Sequence, residues 1–484
     1  MESSEETRPL GPPRPATLEE AWAVIDALWA MNQALSQRVS HLEERLKIDS
    51  SNSSTPPSAN PPGKNLPKLK PKGQNRRGGQ PGHRGSSRKL LPPEEVHETI
   101  PCHPESVCPC GGEVRVSHRF ERRQTFEIPK VTAWVREYQL HFGLCNRCGE
   151  RHQAALPPGV PKGILGPNAL ALQALLVSYF HLSKAKVRML FRDAFGLPVS
   201  TGALSESEAV MAEALAPLHA EAQAAIQQAD QIGADETSFR QGTADGGNPP
   251  GKKAWVWVAV HPQLTVFRIS LSRGQEAAKA LLGEAFQGIV SCDRWSGYTW
   301  LPLEQRAHCW GHVFREYRRI AQRSGESGAL GEQLLQLVRD VFAARNEGTL
   351  AAQHPTLRER MRGLLEQGAA YVPAAKEVSE RAKTARTCQS LLKVEAAYWT
   401  FAAQEGVELT NNAAERALRP LVVWRKVCYG TQAERGSRML ERVFTVIETC
   451  RQQARPIWET LTQAIEAHLG KGTRPSLIPS HAPG

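Results

Sequence analysis

The chain has 484 residues, 40% of them hydrophobic, with 60 Lys and Arg against 49 Asp and Glu, for a formal net charge of +11. That length predicts several domains, and that apolar content excludes a chain disordered throughout. No run of eighteen or more apolar residues occurs, so no membrane span is expected, and the acidic residues 1–7 do not read as a secretory signal. Ten cysteines in a long chain point to metal or free thiols rather than to a disulfide scaffold.

Residues 1–48 read as a coiled coil. Leu18, Ala21, Ile25, Leu28, Asn32, Leu35, Val39, Leu42 and Leu46 are spaced alternately by three and four, a heptad seam with one polar a position at Asn32. A buried Asn there selects a parallel pairing in one register, so a homodimer is expected; the alternative is an amphipathic helix packed on its own chain. Residues 49–96 form a basic, flexible linker rich in Ser, Pro and Gly. Residues 61–90 alone carry nine Lys or Arg and no Asp or Glu. Such a block predicts a polyanionic partner, nucleic acid ahead of an acidic membrane, or else it solubilises. Arg76, Arg77 and Arg84 are its candidate phosphate contacts.

Residues 97–155 read as a zinc-finger-like β domain. Cys145-Asn-Arg-Cys148-Gly149 is a knuckle turn, and Cys108-Pro-Cys110-Gly111-Gly112 is its shorter counterpart. Two thiolate pairs make a closed four-ligand Zn²⁺ site of Cys108, Cys110, Cys145 and Cys148, with Cys102 as a substitute for either member of the first pair. Alternation over 123–128 and 132–142 predicts a hairpin or ribbon between them. Residues 156–230 are helical, with runs over 169–181 and 205–225 broken at Gly196-Leu197-Pro198. Ser200 or Thr201 caps the second run, and the region is either a helix-turn-helix or a spacer.

From 231 to 425 the pattern mixes. Strands over 231–240, 254–261 and 264–271, a helix over 275–286 and a strand over 288–292 make the opening of an RNase H-like domain, with a helical insertion at about 305–405. A last helical block spans 412–468, interrupted near 430–436, so that 426–484 is a C-terminal helical segment. The fold class expected is multidomain α/β.

Three carboxylates stand where separate elements end or begin. Asp235 closes the run Ile232-Gly233-Ala234, Asp293 closes Ile289-Val290-Ser291-Cys292, and Glu415 opens a helix. Clustered carboxylates of this kind bind two hard divalent cations about 3.5–4 Å apart, an arrangement suited to phosphodiester chemistry. Each also has a plainer reading. Asp235 is a strand-end acid, Asp293 caps a turn, and Glu415 completes a capping box with Asn412 and pairs with Arg419.

The stretches Gly233-Ala-Asp-Glu-Thr237, Cys292-Asp-Arg-Trp-Ser-Gly-Tyr298 and Thr410-Asn-Asn-Ala-Ala-Glu-Arg-Ala-Leu-Arg-Pro420 resemble the three catalytic blocks of the insertion-sequence-66 family of transposases. The segment Ala307-His-Cys-Trp-Gly-His312, the basic GGQPGHRG tether, the cysteine domain and Val446-Ile-Glu-Thr-Cys450 match in type and order. The resemblance implies a bacterial DDE transposase with an RNase H-like fold, in which Asp235, Asp293 and Glu415 hold Mg²⁺ (or Mn²⁺) beside the structural Zn²⁺. It implies binding of double-stranded DNA at the element's terminal repeats and at a target, then strand cleavage and transfer in the bacterial cytoplasm at the nucleoid. Two small companion proteins are common in the family. The competing expectations are a catalytically silent, zinc-dependent DNA-binding derivative, and a nuclease that only hydrolyses.

Around the triad, Asn411 and Asn412 either cap the Glu415 helix, position it or touch DNA. Arg416, Arg419, Arg425 and Lys426 are candidate phosphate contacts or a solvated face. His308 and His312, four apart around Cys309 and Trp310, read as packing or DNA-positioning residues rather than as a metal pair. The cysteines outside the zinc domain are expected to be buried.

Overall fold

A computed structural model describes residues 17–49, 51–53 and 89–479. Arg76, Arg77 and Arg84 lie outside the described residues. The chain divides into two compact units, one made of Met1–Lys64, Glu137–Met189 and Pro198–Gly484, the other of Asn65–Arg136 and Leu190–Leu197. Among the described residues no helix is long and apolar enough to cross a membrane.

In the larger unit, helix α1 runs unbroken over Leu18–Lys47. A reciprocal capping box starts it: the Glu20 N–H donates to Thr17 Oγ1 (3.2 Å) and the Thr17 N–H to Glu20 Oε2 (3.3 Å). Its seam residues Leu18, Ile25, Leu28, Leu35, Val39 and Leu42 are exposed. Short strands β1 (Phe142–Leu144) and β2 (Arg151–Gln153) pair antiparallel around the Cys145–Cys148 turn. The hairpin expected over 123–128 and 132–142 does not form: only its last residue, Phe142, enters a strand, and that strand pairs with β2. Alternation specifies a strand only where one face is buried, and Ile128 (86% exposed) and Val135 (82%) face solvent.

Helices α2 (Pro167–Ser178), α3 (Lys184–Phe195) and α4 (Thr201–Ile226) follow. Pro at the first position starts α2, and Ser200 caps α4 by accepting the Ala203 N–H at 3.0 Å. The stretch before Gly196 thus holds a further helix, α3, beyond the expected 169–181 run.

The central sheet contains β3 (Gln231–Phe239), β4 (Ala254–His261), β5 (Leu264–Ser270), β6 (Ile289–Cys292) and β7 (Arg306–His308), with α5 (Gln275–Leu282) before β6. The order is β5-β4-β3-β6-β7. The first three strands are antiparallel, while β6 joins β3, and β7 joins β6, in parallel. Three-residue β7 gave no periodic signal in the sequence. Helices α6 (Trp310–Ala321), α7 (Gly325–Asn346), α8 (Leu350–Ala369), α9 (Glu380–Leu392) and α10 (Thr400–Ala403) form an insertion with its own core, including Trp310, Tyr317, Leu334, Val341, Met361 and Leu391. The chain then returns through α11 (Asn412–Cys428), α12 (Glu434–Gln452) and α13 (Ile457–His468).

Helix α12 seals the edge of the sheet. The N–H groups of Thr265, Phe267 and Ile269 on edge strand β5 donate to Thr449 Oγ1 (3.1 Å), Thr445 Oγ1 (3.0 Å) and Glu441 Oε2 (2.8 Å). Two residues of strand advance about 6.8 Å and four of helix about 6 Å, so side chains at i, i+4 and i+8 keep step with alternate strand amides. These amides would otherwise be unpaired and buried, or would pair with another chain.

Two stability predictions follow from this packing. Thr445→Val leaves the buried Phe267 N–H without an acceptor and is expected to cost about 1–3 kcal/mol, read as a lowered urea midpoint; an unchanged midpoint would show that the helix does not serve this edge. On α4, buried His219 hydrogen-bonds the Phe267 carbonyl through Nε2 (2.8 Å), and burial lowers its pKa to about 4. The unfolded chain therefore binds the extra proton between about pH 6.5 and 4, so stability is present above that window and lost as pH falls through it, by about 3 kcal/mol in full. His219→Gln should flatten the fall in melting temperature over that range.

Candidate active site

The register of the parallel pair brings the two aspartates level. Gln231 lies opposite Ile289 and Gly233 opposite Ser291, so Asp235 and Asp293 fall at the next corresponding positions of neighbouring chains. Within β3 the alternation separates two adjacent acids. Glu236 points to the opposite face, where its Oε1 accepts from Arg273 Nη2 (2.9 Å) and Nε (3.1 Å) and its Oε2 from the Tyr298 hydroxyl (3.0 Å). Arg273 lies over the rings of Trp295 (3.6 Å) and Trp255 (4.5 Å), which leaves it little freedom. Glu236 is therefore occupied by two side-chain partners, whereas Asp235 Oδ1 accepts the Glu236 N–H (2.9 Å).

Glu415 is delivered by the docking of α11 onto β3. Buried Asn411, just before the helix, donates from Nδ2 to the Ala234 carbonyl (2.7 Å), and its backbone N–H donates to Cys309 Sγ (3.2 Å). A Cβ on Gly233 would stand 2.7 Å from Asn411 Oδ1; glycine in this strand is what allows the helix to approach. The expected capping box is corrected here. Asn411 occupies the N-cap position without a side-chain cap: its Nδ2 is turned to the strand and its buried Oδ1 accepts no hydrogen bond among the described residues, and Asn412 is an exposed first helical residue. At the far end of α11, Arg425 donates to Thr237 Oγ1 (2.9 Å) and the Ser238 carbonyl, and the Trp424 ring stacks on Phe239. Arg425 thus binds β3 and is not a free phosphate contact.

The three carboxylates feel one another. Burial holds the Asp235 carboxyl well above the ordinary carboxylate range, and the negative charges of Glu236, Asp293 and Glu415 push it further the same way. Glu236 is raised to about 7, by burial first and then by Asp293. Asp293 also performs its plainer role: its Oδ1 accepts the Trp295 N–H at 2.8 Å. Arg315 on α6 stands 3.4 Å from Glu415. A partly buried group of carboxylates fits divalent cations, which would neutralise them through oxygen ligands.

The two candidate histidines part company. His308, buried in β7, packs edge-on against Tyr398 at 5.2 Å. His312 instead joins the site: one ligand atom each from Cys309, His312 and Glu415 lie within 4.8 Å of one another. Arg273 and Arg315 escaped the sequence reading, whereas positioning of the Glu415 helix was among the roles it gave Asn411. Gly233 within a strand was the one local signal of a close approach. Arg416 and Arg419 are exposed on α11 and line an open groove with Tyr179, His181, Glu448 and Arg451. Arg451 there pairs with Glu448 at 3.0 Å, whereas Arg416 and Arg419 have no ion pair among the described residues. Lys426 is exposed.

Each cysteine pair closes a tight turn. The Cys108 N–H donates to the Gly112 carbonyl (2.9 Å) and the Gly111 N–H to Cys108 (2.8 Å); the Cys145 N–H donates to Glu150 (2.8 Å) and the Gly149 N–H to Cys145 (2.9 Å). Gly149, at φ +69°, holds the left-handed conformation such a turn requires. The backbone N–H of Gly112 and then the Cys108 thiol favour the Cys110 thiolate, and those of Cys148 and Arg147 favour that of Cys145. Cys108 and Cys110 belong to the smaller unit, Cys145 and Cys148 to the larger. Of the remaining cysteines, Cys292, Cys309, Cys388 and Cys450 are buried, Cys428 partly so, and Cys102 is exposed.

A family model described as the Transposase IS66 family matches residues 162–439, more than half of the chain, and the chain belongs to that family. The matched stretch contains Asp235, Asp293 and Glu415. A second model, a family of unknown function, matches residues 10–89. Two curated relatives come from Sinorhizobium fredii. Uncharacterized protein y4qI is 26% identical over 270 residues, covering 50% of this chain and 48% of that protein. Uncharacterized protein y4hP is 25% identical over 403 residues, covering 75% and 71%. The chain therefore spans about half the length of the first of these relatives.

The docking contact can be tested on the folded protein. Asn411→Ala removes a buried hydrogen bond to β3 and is expected to cost about 1–3 kcal/mol of stability. Gly233→Ala should displace the same side chain and lower the melting temperature; a neutral effect of both would place the hold on α11 elsewhere.

Proposed function

We propose that this chain is an active transposase that binds the ends of its own element and uses Asp235, Asp293 and Glu415, with Mg²⁺ or Mn²⁺, to cleave DNA strands and join them to a target. The observation that carries the reading is that the charges of Asp293 and Glu415 both act on Asp235, so that carboxylates from β3, the end of β6 and the first turn of α11 share one partly buried neighbourhood. Bound there, two divalent cations would activate the attacking oxygen and stabilise the leaving one. The chain's own work is to hold the ligands rigidly: the sheet register aligns the aspartates, Asn411 fixes the Glu415 helix, and Arg273 and Tyr298 retire Glu236 from competition. The reading of this domain as RNase H-like draws support from the sheet order, three antiparallel strands followed by two parallel ones, with a helical insertion before the Glu helix.

The remaining parts have roles in the same activity. Arg416 and Arg419, together with the basic linker, supply phosphate contacts to double-stranded DNA at the nucleoid. The exposed apolar seam of α1 pairs two copies, so that two DNA ends can be held together. Cys108 with Cys110, and Cys145 with Cys148, are zinc-binding pairs, each supported by its own thiolate-favouring turn. Small companion proteins of the same element remain an expectation from the family.

The decisive test is cleavage and joining on a supercoiled plasmid bearing the element's ends, with Mg²⁺, comparing wild type with Glu415→Gln. Wild type should give joined products. The variant should lose at least about 10²-fold in rate, the scale of removing one charge-stabilising group from a catalytic site, while still binding DNA. Cleavage without joining would identify a hydrolytic nuclease, binding without cleavage by either protein a silent DNA-binding derivative, and equal rates would remove Glu415 from the site.

A further inference from the structure

Helix α6 is rigidly anchored at its first residue. The Trp310 indole donates to the Tyr398 carbonyl at 2.7 Å, its backbone N–H donates to Leu409 at 2.9 Å, and its ring packs against Tyr398, Trp399 and Phe401. Two residues on, this anchor sets His312 beside Glu415. The His312 Nδ1 is buried and has no hydrogen-bond partner among the described residues. Cys309, the third member of the cluster, is already committed: its sulfur accepts the Asn411 N–H.

We infer that His312 is a nitrogen ligand to the divalent cation held by Glu415, which makes this a mixed nitrogen and oxygen site rather than an all-carboxylate one. The inference rests on the three-carboxylate reading and deepens it. A neutral imidazole donates a lone pair without adding charge, so it serves where a further carboxylate would only increase the repulsion around Asp235. It also changes the ion preference: imidazole suits transition metals better than Mg²⁺, so Mn²⁺ should bind more tightly than Mg²⁺ by more than carboxylates alone provide.

The test uses Mn²⁺ bound to the full chain and pulsed electron paramagnetic resonance, which detects a directly coordinated nitrogen. Wild type should show nitrogen modulation on the bound Mn²⁺, altered when the protein's histidines carry ¹⁵N. His312→Gln should abolish it and weaken Mn²⁺ binding by about tenfold or more, with the folded state checked by its melting temperature. Bound Mn²⁺ that responds to Asp235→Asn but shows no nitrogen in wild type, or keeps it in His312→Gln, overturns the inference and leaves the carboxylate site standing. Mn²⁺ binding that ignores Asp235→Asn and Glu415→Gln overturns both.

Discussion

The geometry of the candidate site depends on one buried amide. Asn411 joins the start of α11 to β3 through the Ala234 carbonyl, and the absence of a side chain at Gly233 lets it come that close. The distance matters because Asp235 and Glu415 belong to elements far apart in sequence, and carboxylates that repel each other do not come together unaided. Rigid backbone elements must impose the cluster, at the cost of raising the Asp235 pKa. Arg425 and the Phe239–Trp424 stack hold the other end of the same helix, so α11 lies along the strand and cannot pivot away from it.

The sheet that carries Asp235 is kept single by the polar side of α12. Thr445, Thr449 and Glu441 take up the amides of the outer strand, so β5 presents no open edge there to a second molecule. On the other side, the helical insertion serves the site from its own core. Trp310 belongs to that core, and the turn it anchors presents His312 and Arg315 toward Glu415. Stability of the insertion and geometry of the site are thus linked through the first turn of α6.

Opposite fates of adjacent residues are the recurring feature of this site. Asp235 and Glu236 differ by one position in a strand, which sends one to the site and the other to Arg273 and Tyr298. His308 and His312 differ by four positions, a spacing that would align them on a continuous helix. Here β7 ends between them and α6 begins, so one is a core residue and the other faces the carboxylates.

Local signals sufficed for much of this. The heptad spacing marked α1, alternation and apolar runs located β3, β4, β5 and β6 to within a residue or two, and the three blocks around Asp235, Asp293 and Glu415 carried the family resemblance. Each is a property of a short stretch, set by side-chain period or by a motif. The run over 123–128 and most of that over 132–142 failed as strands because alternation says nothing about whether a partner and a buried face exist. The capping box at Asn412 failed because the helix starts one residue earlier than expected, with Asn411 at the N-cap and its amide oriented by the Ala234 carbonyl rather than by the helix. Arg425 read as a phosphate contact until its strand partners were known. Sequence alone thus determined most of the elements around the site and which acids stand at their ends. Tertiary structure decided which of those acids meet, since their meeting is a matter of register and helix docking between residues up to 180 positions apart, as for Asp235 and Glu415.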